Sequence, residues 1–162
     1  MAISLLAVGF WLWNVIIEHF MDTFRFKNFV VYKDAKRLRQ NGRKLLLKFP
    51  FREEKRLVDQ ISRALDSVVL NIAEGSAKRT DDDFARFLSM AIASVSEAVA
   101  GFDASKDDRY VSEQEFDIFE IEAESVAKQL GKFIGVLKKN VTKSQLPHAK
   151  CHKTAVCSYA AQ

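Results

Sequence analysis

The chain has 162 residues, of which 48% are hydrophobic, enough to bury one ordinary domain core. Only two prolines and six glycines occur, which argues against a many-stranded β fold. Charge is segregated: residues 25–63 carry thirteen Lys and Arg against four acids, residues 66–124 five against fifteen, and residues 125–162 seven against none. Either basic and acidic helices lie side by side, within or between subunits, or the basic stretches form a surface for nucleic acid.

Residues 2–17 form an apolar segment at the short limit for a membrane-spanning helix, which needs about twenty apolar residues. The segment contains Asn14, no Lys or Arg precedes it, and no small-x-small cleavage motif follows. Met21 opens a stretch that suits the start of a soluble domain. We favour residues 1–20 as an extension from an upstream start, with a membrane anchor as the alternative, and we place the main domain at residues 21–140.

From Phe29 to Pro50, apolar residues recur at spacings of three and four, the period of one buried helix face. We predict a first helix here, ended by Pro50. Gly42 lies near its middle, where glycine costs about 1 kcal/mol relative to alanine, and indicates either a close helix contact or local fraying. The apolar positions are Val31, Ala35, Leu38, Gly42, Leu45 and Phe49.

A second stripe predicts a helix from Glu53 to Lys78, whose first acidic residues suit the positive end of the helix dipole. Gly75 and Thr80 indicate a stop and a new start, so we predict a hairpin of antiparallel helices rather than one long rod. The stripe consists of Leu57, Ile61, Leu65, Val68 and Ile72.

Two capping motifs predict where the third and fourth helices begin. Thr80 followed by three aspartates is a helix cap, and Ser112 with Glu115 forms a capping box. The third stripe is Phe84, Leu88, Ala91, Val95, Val99 and Phe102, and the fourth is Phe116, Phe119, Ala123, Val126, Leu130, Phe133, Leu137 and Val141. Four helices with short connections predict an all-α, antiparallel up-down-up-down four-helix bundle. We predict that residues 141–162 are a basic, disordered tail.

The second helix also carries a polar line beside its apolar one, and we expect this line to be partly buried. We predict an Arg63 to Glu97 ion pair or hydrogen bond, and a contact of Glu74 with Arg79 or Arg86. These contacts would fix helix register or a subunit contact rather than perform chemistry. The structural polar residues are Gln60, Arg63, Asn71, Glu74 and Glu97.

The histidines and cysteines argue against catalysis in the bundle. His19, His148 and His152 all lie outside it, which excludes inward Glu-x-x-His iron ligands and an Arg-x4-6-His nuclease motif. Cys151 and Cys157 join two histidines in the tail, but their spacing does not match zinc modules. The chain lacks a phosphate loop and a nucleophile elbow, and we interpret the carboxylates of the fourth helix as a solvated face. We expect no catalytic residue, cofactor or metal, and a reducing, cytoplasmic location.

Several short segments carry a family resemblance when they occur in this order. They are Phe29-Val30-Val31-Tyr32-Lys33-Asp34-Ala35, Phe49-Pro50, Leu57 with Gln60, Asn71-Ile72-Ala73-Glu74-Gly75, Asp83-Phe84 with Phe87-Leu88, and Ala93-Ser94 with Glu97. Over residues 24–139 the chain resembles the four helix bundle protein family, also called the 23S rRNA intervening sequence protein family. The resemblance implies a homopentameric ring of antiparallel bundles, encoded in some bacteria by insertions within rRNA genes, with no established activity. The chain is also similar to the accessory proteins of diversity-generating retroelements, pentameric bundles that engage RNA and a reverse transcriptase.

The leading hypothesis is a non-enzymatic oligomeric scaffold or adaptor that contacts RNA through the basic first helix. Lys36, Arg39 and Arg43 have the spacing of one outward face. One alternative is a protein-binding regulatory subunit without nucleic-acid contact, and another is a membrane-anchored bundle. We do not expect a small-molecule substrate or a membrane as partner. The candidate RNA-binding residues are Lys33, Lys36, Arg37, Arg39, Arg43 and Lys44.

Overall fold

The computed structural model describes residues 24–50 and 54–145. After a 3₁₀ turn at Arg25–Asn28, these residues form four α-helices and no strand, which confirms the predicted all-α fold. A π-helical turn, Glu54–Val58, leads directly into the second helix. The helices are α1 (Val30–Leu46), α2 (Asp59–Ser76), α3 (Asp81–Asp107) and α4 (Glu113–Gln145).

Two helices end at residues other than those that the sequence pattern predicts. The helix α4 continues to Gln145, past the tail boundary predicted at residue 140, and α1 ends at Leu46, before Pro50. The predictions for residues 1–20 and for the Cys/His cluster of the tail concern segments outside the described residues.

Contacts between neighbouring helices show that each helix runs opposite to the next. In every neighbouring pair, rising residue numbers on one helix meet falling numbers on the other. The pairs include Ile61–Gly101, Ser67–Ser94 and Gly75–Phe84 between α2 and α3, and Phe102–Phe119 and Phe84–Phe133 between α3 and α4. Asn41–Glu122 and Phe29–Phe133 join α1 to α4, and Arg25–Ser76 and Gly42–Leu65 join the first helical segments to α2. The four helices therefore surround one core in an antiparallel order.

The apolar stripes predicted from the sequence form that core. Leu38, Ile72 and Leu88 are almost completely buried, and the buried rings of Phe102 and Phe119 pack at a tilt of 58° with centroids 4.4 Å apart. Burying one such side chain stabilises the fold by about 1.5–3 kcal/mol. Because the stripes recur on all four helices, this apolar burial holds the bundle together.

Two glycines allow close helix packing. A Cβ added at Gly42 would lie 2.7 Å from Cδ1 of Leu65, so the predicted close contact exists and the helix is not frayed there. A Cβ at Gly75 would lie 2.7 Å from the Phe84 ring. Gly75 does not have positive φ and lies inside α2, so it serves packing rather than the predicted helix stop.

The helix ends are capped largely as the sequence indicates. Thr80 Oγ1 accepts a hydrogen bond from the backbone N–H of Asp83 at 3.1 Å, and Ser112 and Glu115 form the reciprocal capping box. The end of α3 is a Schellman turn, in which Arg109 has a φ of 61° and Tyr110 N–H donates to the carbonyl of Ser105. These caps fix where α3 and α4 begin and where α3 ends.

Among the described helices, α3 alone is long and apolar enough to cross a membrane by length and composition. A core helix passes the same test, and α3 buries Phe84, Leu88 and Phe102 between its two neighbours. Its composition is explained by its central place in the bundle.

Candidate interaction surfaces

The outward side of α1 carries most of the predicted RNA-binding residues. Lys33, Lys36 and Lys44 are exposed, and in the part of the chain that the structure describes no carboxylate forms an ion pair with them. Arg37 is also exposed and pairs with Asp34 of its own helix at 3.1 Å. Such an exposed pair contributes less than about 1 kcal/mol, so Arg37 remains available for other contacts. We call Lys33, Lys36, Arg37 and Lys44 the α1 basic face.

The other two arginines of the predicted set turn towards α2. Arg43 Nη2 lies 2.8 Å from one carboxylate oxygen of Asp66, and Arg39 Nε donates to the other oxygen. Lys36 and Arg43 are exposed as predicted and Arg39 is half-buried, but both arginines are engaged by Asp66 of α2. Packing of Leu38 in the core sets the rotation of α1 and places positions 39 and 43 at the border with α2.

Polar contacts that recur every seven residues join α1, and the turn that follows it, to α4. They are Gln129 Nε2 to Asp34 Oδ2 at 2.8 Å, Asn41 Nδ2 to Glu122 Oε2 at 2.9 Å, and the ion pair of Lys48 with Glu115. A seven-residue period is typical of helices packed as in a coiled coil. The interpretation of the α4 carboxylates as a solvated face was therefore wrong for Glu115 and Glu122, and the spacing itself was visible in the sequence.

The charged groups with shifted pKa values belong to ion pairs. Hydrogen bonds from Lys48 and then from Ser112 hold the pKa of Glu115 down to about 2. The hydrogen bond with Asp103 raises the pKa of Lys106 above its usual value. Neither pKa moves towards neutrality, where a general acid or base works best.

The polar line of α2 lies between α2 and α3 at its middle. The Ser67 and Ser94 hydroxyls are 2.8 Å apart, and the buried amide of Asn71 donates to the backbone carbonyl and hydroxyl of Ser67 at 2.9 and 3.0 Å. Gln60 Nε2 donates to Glu97 Oε1 at 3.4 Å on the exposed border. These contacts connect α2 to α3 and favour one register of the hairpin.

The ion-pair partners predicted for two residues of this line were wrong. Arg63 pairs with Asp59 at 2.8 Å, one turn earlier on the same helix, rather than with Glu97. Glu74 pairs with Lys78 at 3.0 Å rather than with an arginine. Partners four residues apart on one helix are close neighbours, so they meet without crossing to α3.

An apolar groove of about 640 Å³ lies between α3 and α4 on the outside of the bundle. Exposed acids stand beside its apolar lining, and Ile121, which is 66% exposed, projects at its edge. The apolar residues that line it are Val95, Val99, Phe116, Ala123 and Ala127, and the acids are Asp103, Glu120 and Glu124. We call this feature the α3–α4 groove, and its chemistry suits a partner that is both basic and apolar.

Within residues 24–50 and 54–145, no group of three His, Cys, Asp or Glu side chains is placed to hold a metal ion. The polar clusters there are ion pairs, caps and helix contacts.

The fold and these surfaces define an all-α four-helix bundle whose polar groups serve packing and surface contact. The sequence profile described as 23S rRNA-intervening sequence protein matches residues 27–132, from the turn before α1 to the second half of α4. The chain therefore belongs to the 23S rRNA-intervening sequence protein family, as its sequence motifs implied. Among curated proteins, no sequence matches it significantly.

Proposed function

We propose that the protein is a non-enzymatic scaffold or adaptor that works as a homo-oligomer in the cytoplasm. One observation carries this proposal: the bundle leaves a basic face and an acid-rimmed apolar groove on its surface, and neither is covered by its own described residues. Part of the charge segregation is used internally, since Asp66 pairs with two arginines and Glu115 with Lys48. Lys33, Lys36 and Lys44 form no ion pair within the described residues and are available for a second molecule.

The chemistry of the described residues supports a role without catalysis. The strongly shifted carboxylate, Glu115, is held in its charged form by Lys48 and Ser112. A general acid needs a pKa near the working pH, and a nucleophile needs an adjacent base. The arrangement around Glu115 provides an anchor for α1 and α4 instead.

Sedimentation of the full chain over a wide concentration range tests the homo-oligomer. We expect a discrete species larger than the 18.4 kDa protomer, and the family resemblance implies five subunits. A protein that sediments as a monomer at every concentration contradicts the proposal.

RNA binding is a second candidate function, favoured by the exposed lysines of the α1 basic face. The logarithm of the binding constant falls linearly with the logarithm of salt concentration, and each phosphate neutralised by a lysine steepens that slope by about 0.7–0.9. A variant with Lys33, Lys36 and Lys44 replaced by glutamine should therefore bind structured RNA more weakly and with a flatter salt slope.

The control replaces three exposed lysines of α4 with glutamine, which changes net charge equally. They are Lys128, Lys132 and Lys139, of which Lys128 pairs with Glu124 at 2.6 Å. Equal losses of RNA affinity in both variants would show that RNA is attracted by net charge rather than by the α1 basic face. If the wild-type chain does not retain RNA at low salt, the remaining hypothesis is a protein-binding regulatory subunit.

A further inference from the structure

Two glycines of α4 have no packing role within their own chain. A Cβ built at Gly131 or Gly135 has nothing within 4 Å, whereas at Gly42 and Gly101 it would meet a core side chain within 3 Å. Glycine inside a helix destabilises it, so close approach by another backbone is the usual structural reason to have it there. Gly131 and Gly135 follow Ala127, a residue of the α3–α4 groove, at successive four-residue steps. A line of three small residues therefore runs from the groove along α4, and nothing in the described residues packs against the last two.

The acidic rim limits what can occupy this surface. Asp103 and Glu124 pair with Lys106 and Lys128 of their own helices at 2.9 and 2.6 Å, whereas Glu120 forms no ion pair within the described residues. Such exposed pairs contribute less than about 1 kcal/mol, so the rim carboxylates still repel a second acidic surface and attract a basic one. On the same chain, the α1 basic face offers exposed cations, and Leu47 just beyond it is 86% exposed. Charge and apolar contact therefore both match α1 to the groove.

The two surfaces also lie at the same level along the bundle. Asn41 is paired with Glu122 and Asp34 with Gln129, so the part of α1 from Lys36 to Lys44 is level with α4 from residue 127 to residue 119. This span of α4 contains two of the three acidic rim residues, Glu120 and Glu124. A rotation about an axis parallel to the bundle keeps every residue at its own level. Such a rotation brings the cations of one copy opposite the carboxylates of the next without any shift along the axis.

We propose that the α3–α4 groove receives the outward side of α1 from a second copy of the chain. The inference rests on the proposed homo-oligomer, since it names the two faces through which the copies meet. The faces are different surfaces, so the contact is head to tail and generates a closed ring when the rotation between copies closes. The lysines of the α1 basic face are covered in this contact and are then not free to track RNA phosphates.

Replacing Gly131 with leucine tests the groove, and Ser125→Leu on the exposed side of the same helix is the control. Leucine at residue 131 has open space in the monomer and a higher helix propensity than glycine, so the urea midpoint of dilute, monomeric protein should rise. The same side chain obstructs a neighbouring helix and should weaken self-association by roughly tenfold or more. The control should associate as the wild type does. Unchanged association of the Gly131→Leu variant overturns the proposal.

A charge exchange tests the partner. Lys36→Glu with Lys44→Glu, or Glu120→Lys with Glu124→Lys, should each weaken association, and all four changes in one chain should restore it at unchanged net charge. Failure of the fourfold variant to recover, while the wild type remains oligomeric, overturns this interface but leaves the homo-oligomer intact. A monomeric wild type rejects both. An assembled wild type that retains RNA through Lys36 and Lys44 also overturns the interface, because those side chains would then be accessible.

Discussion

Replacing Gly42 with alanine tests whether close packing of α1 holds the bundle as described. Gly42 is buried in the middle of α1, and the added Cβ would lie 2.7 Å from Leu65 Cδ1 and 3.1 Å from Phe119 Cε2. Both neighbours are core side chains that are at most 2% exposed, so neither can turn outward to make room. The substitution therefore forces α1 away from α2 and α4.

Two opposing effects set the size of the change. Alanine is favoured over glycine in a helix by about 1 kcal/mol. Overpacking a filled core costs about 1–3 kcal/mol. We expect a net loss of about 1 kcal/mol in the free energy of unfolding, which corresponds to a fall of roughly 3 °C in melting temperature.

A double-mutant cycle with Leu65→Val provides the assay. Valine lacks the Cδ1 atom that the new methyl group would strike, so the double variant should lose less stability than the sum of the single changes. Urea unfolding at a fixed protein concentration should give a coupling of about 1 kcal/mol. Additive losses, or a Gly42→Ala variant more stable than the wild type, would refute the packing argument.

Three further predictions concern charges and helix ends. Asp66→Ala should lower stability by roughly 1 kcal/mol at low salt and less at high salt, because Arg39 and Arg43 lose their shared carboxylate and repel each other. Glu115 has a pKa lowered to about 2, so its stabilisation is complete above the ordinary carboxylate pKa and is lost as the pH falls from that ordinary pKa to about 2. The difference in melting temperature between wild type and Glu115→Gln should therefore narrow with acidification, and a constant difference would contradict this assignment. Arg109→Gly should raise the free energy of unfolding by up to about 1 kcal/mol, because glycine adopts positive φ without strain. The gain should be seen as a higher urea midpoint.

The core could be predicted from the sequence because its pattern is set by covalent geometry. A helix returns to the same side every three or four residues, so Ile61, Leu65, Val68 and Ile72 had to share a face. Thr80 was equally predictable, since a helix cap depends on neighbours only three residues away. Local spacing therefore determined both features.

Side-chain partners across helices were harder to predict, because they depend on helix rotation and on competing neighbours. Arg63 had an acceptor one turn away in Asp59, which is reached at lower entropic cost than a partner on α3. Arg39 and Arg43 face α2 because core packing fixes the rotation of α1 about its axis. The periodicity of the sequence determines that rotation only approximately, to within about one residue position. The open position of Gly131 could not be predicted for a different reason, since the sequence does not show which glycines contact their own chain.

Photocrosslinking from the groove tests the meeting of the two surfaces most directly. A benzoylphenylalanine placed at Ile121, which is 66% exposed at the groove edge, would be activated in the assembled full-length protein. Crosslinked peptides would then be identified by mass spectrometry, with isotope-mixed subunits to separate contacts between copies from contacts within one. The account predicts crosslinks between copies to the outward side of α1, from Lys33 to Leu47. Crosslinks between copies that fall on α3 or α4 instead, or an assembled protein without any at α1, would contradict it.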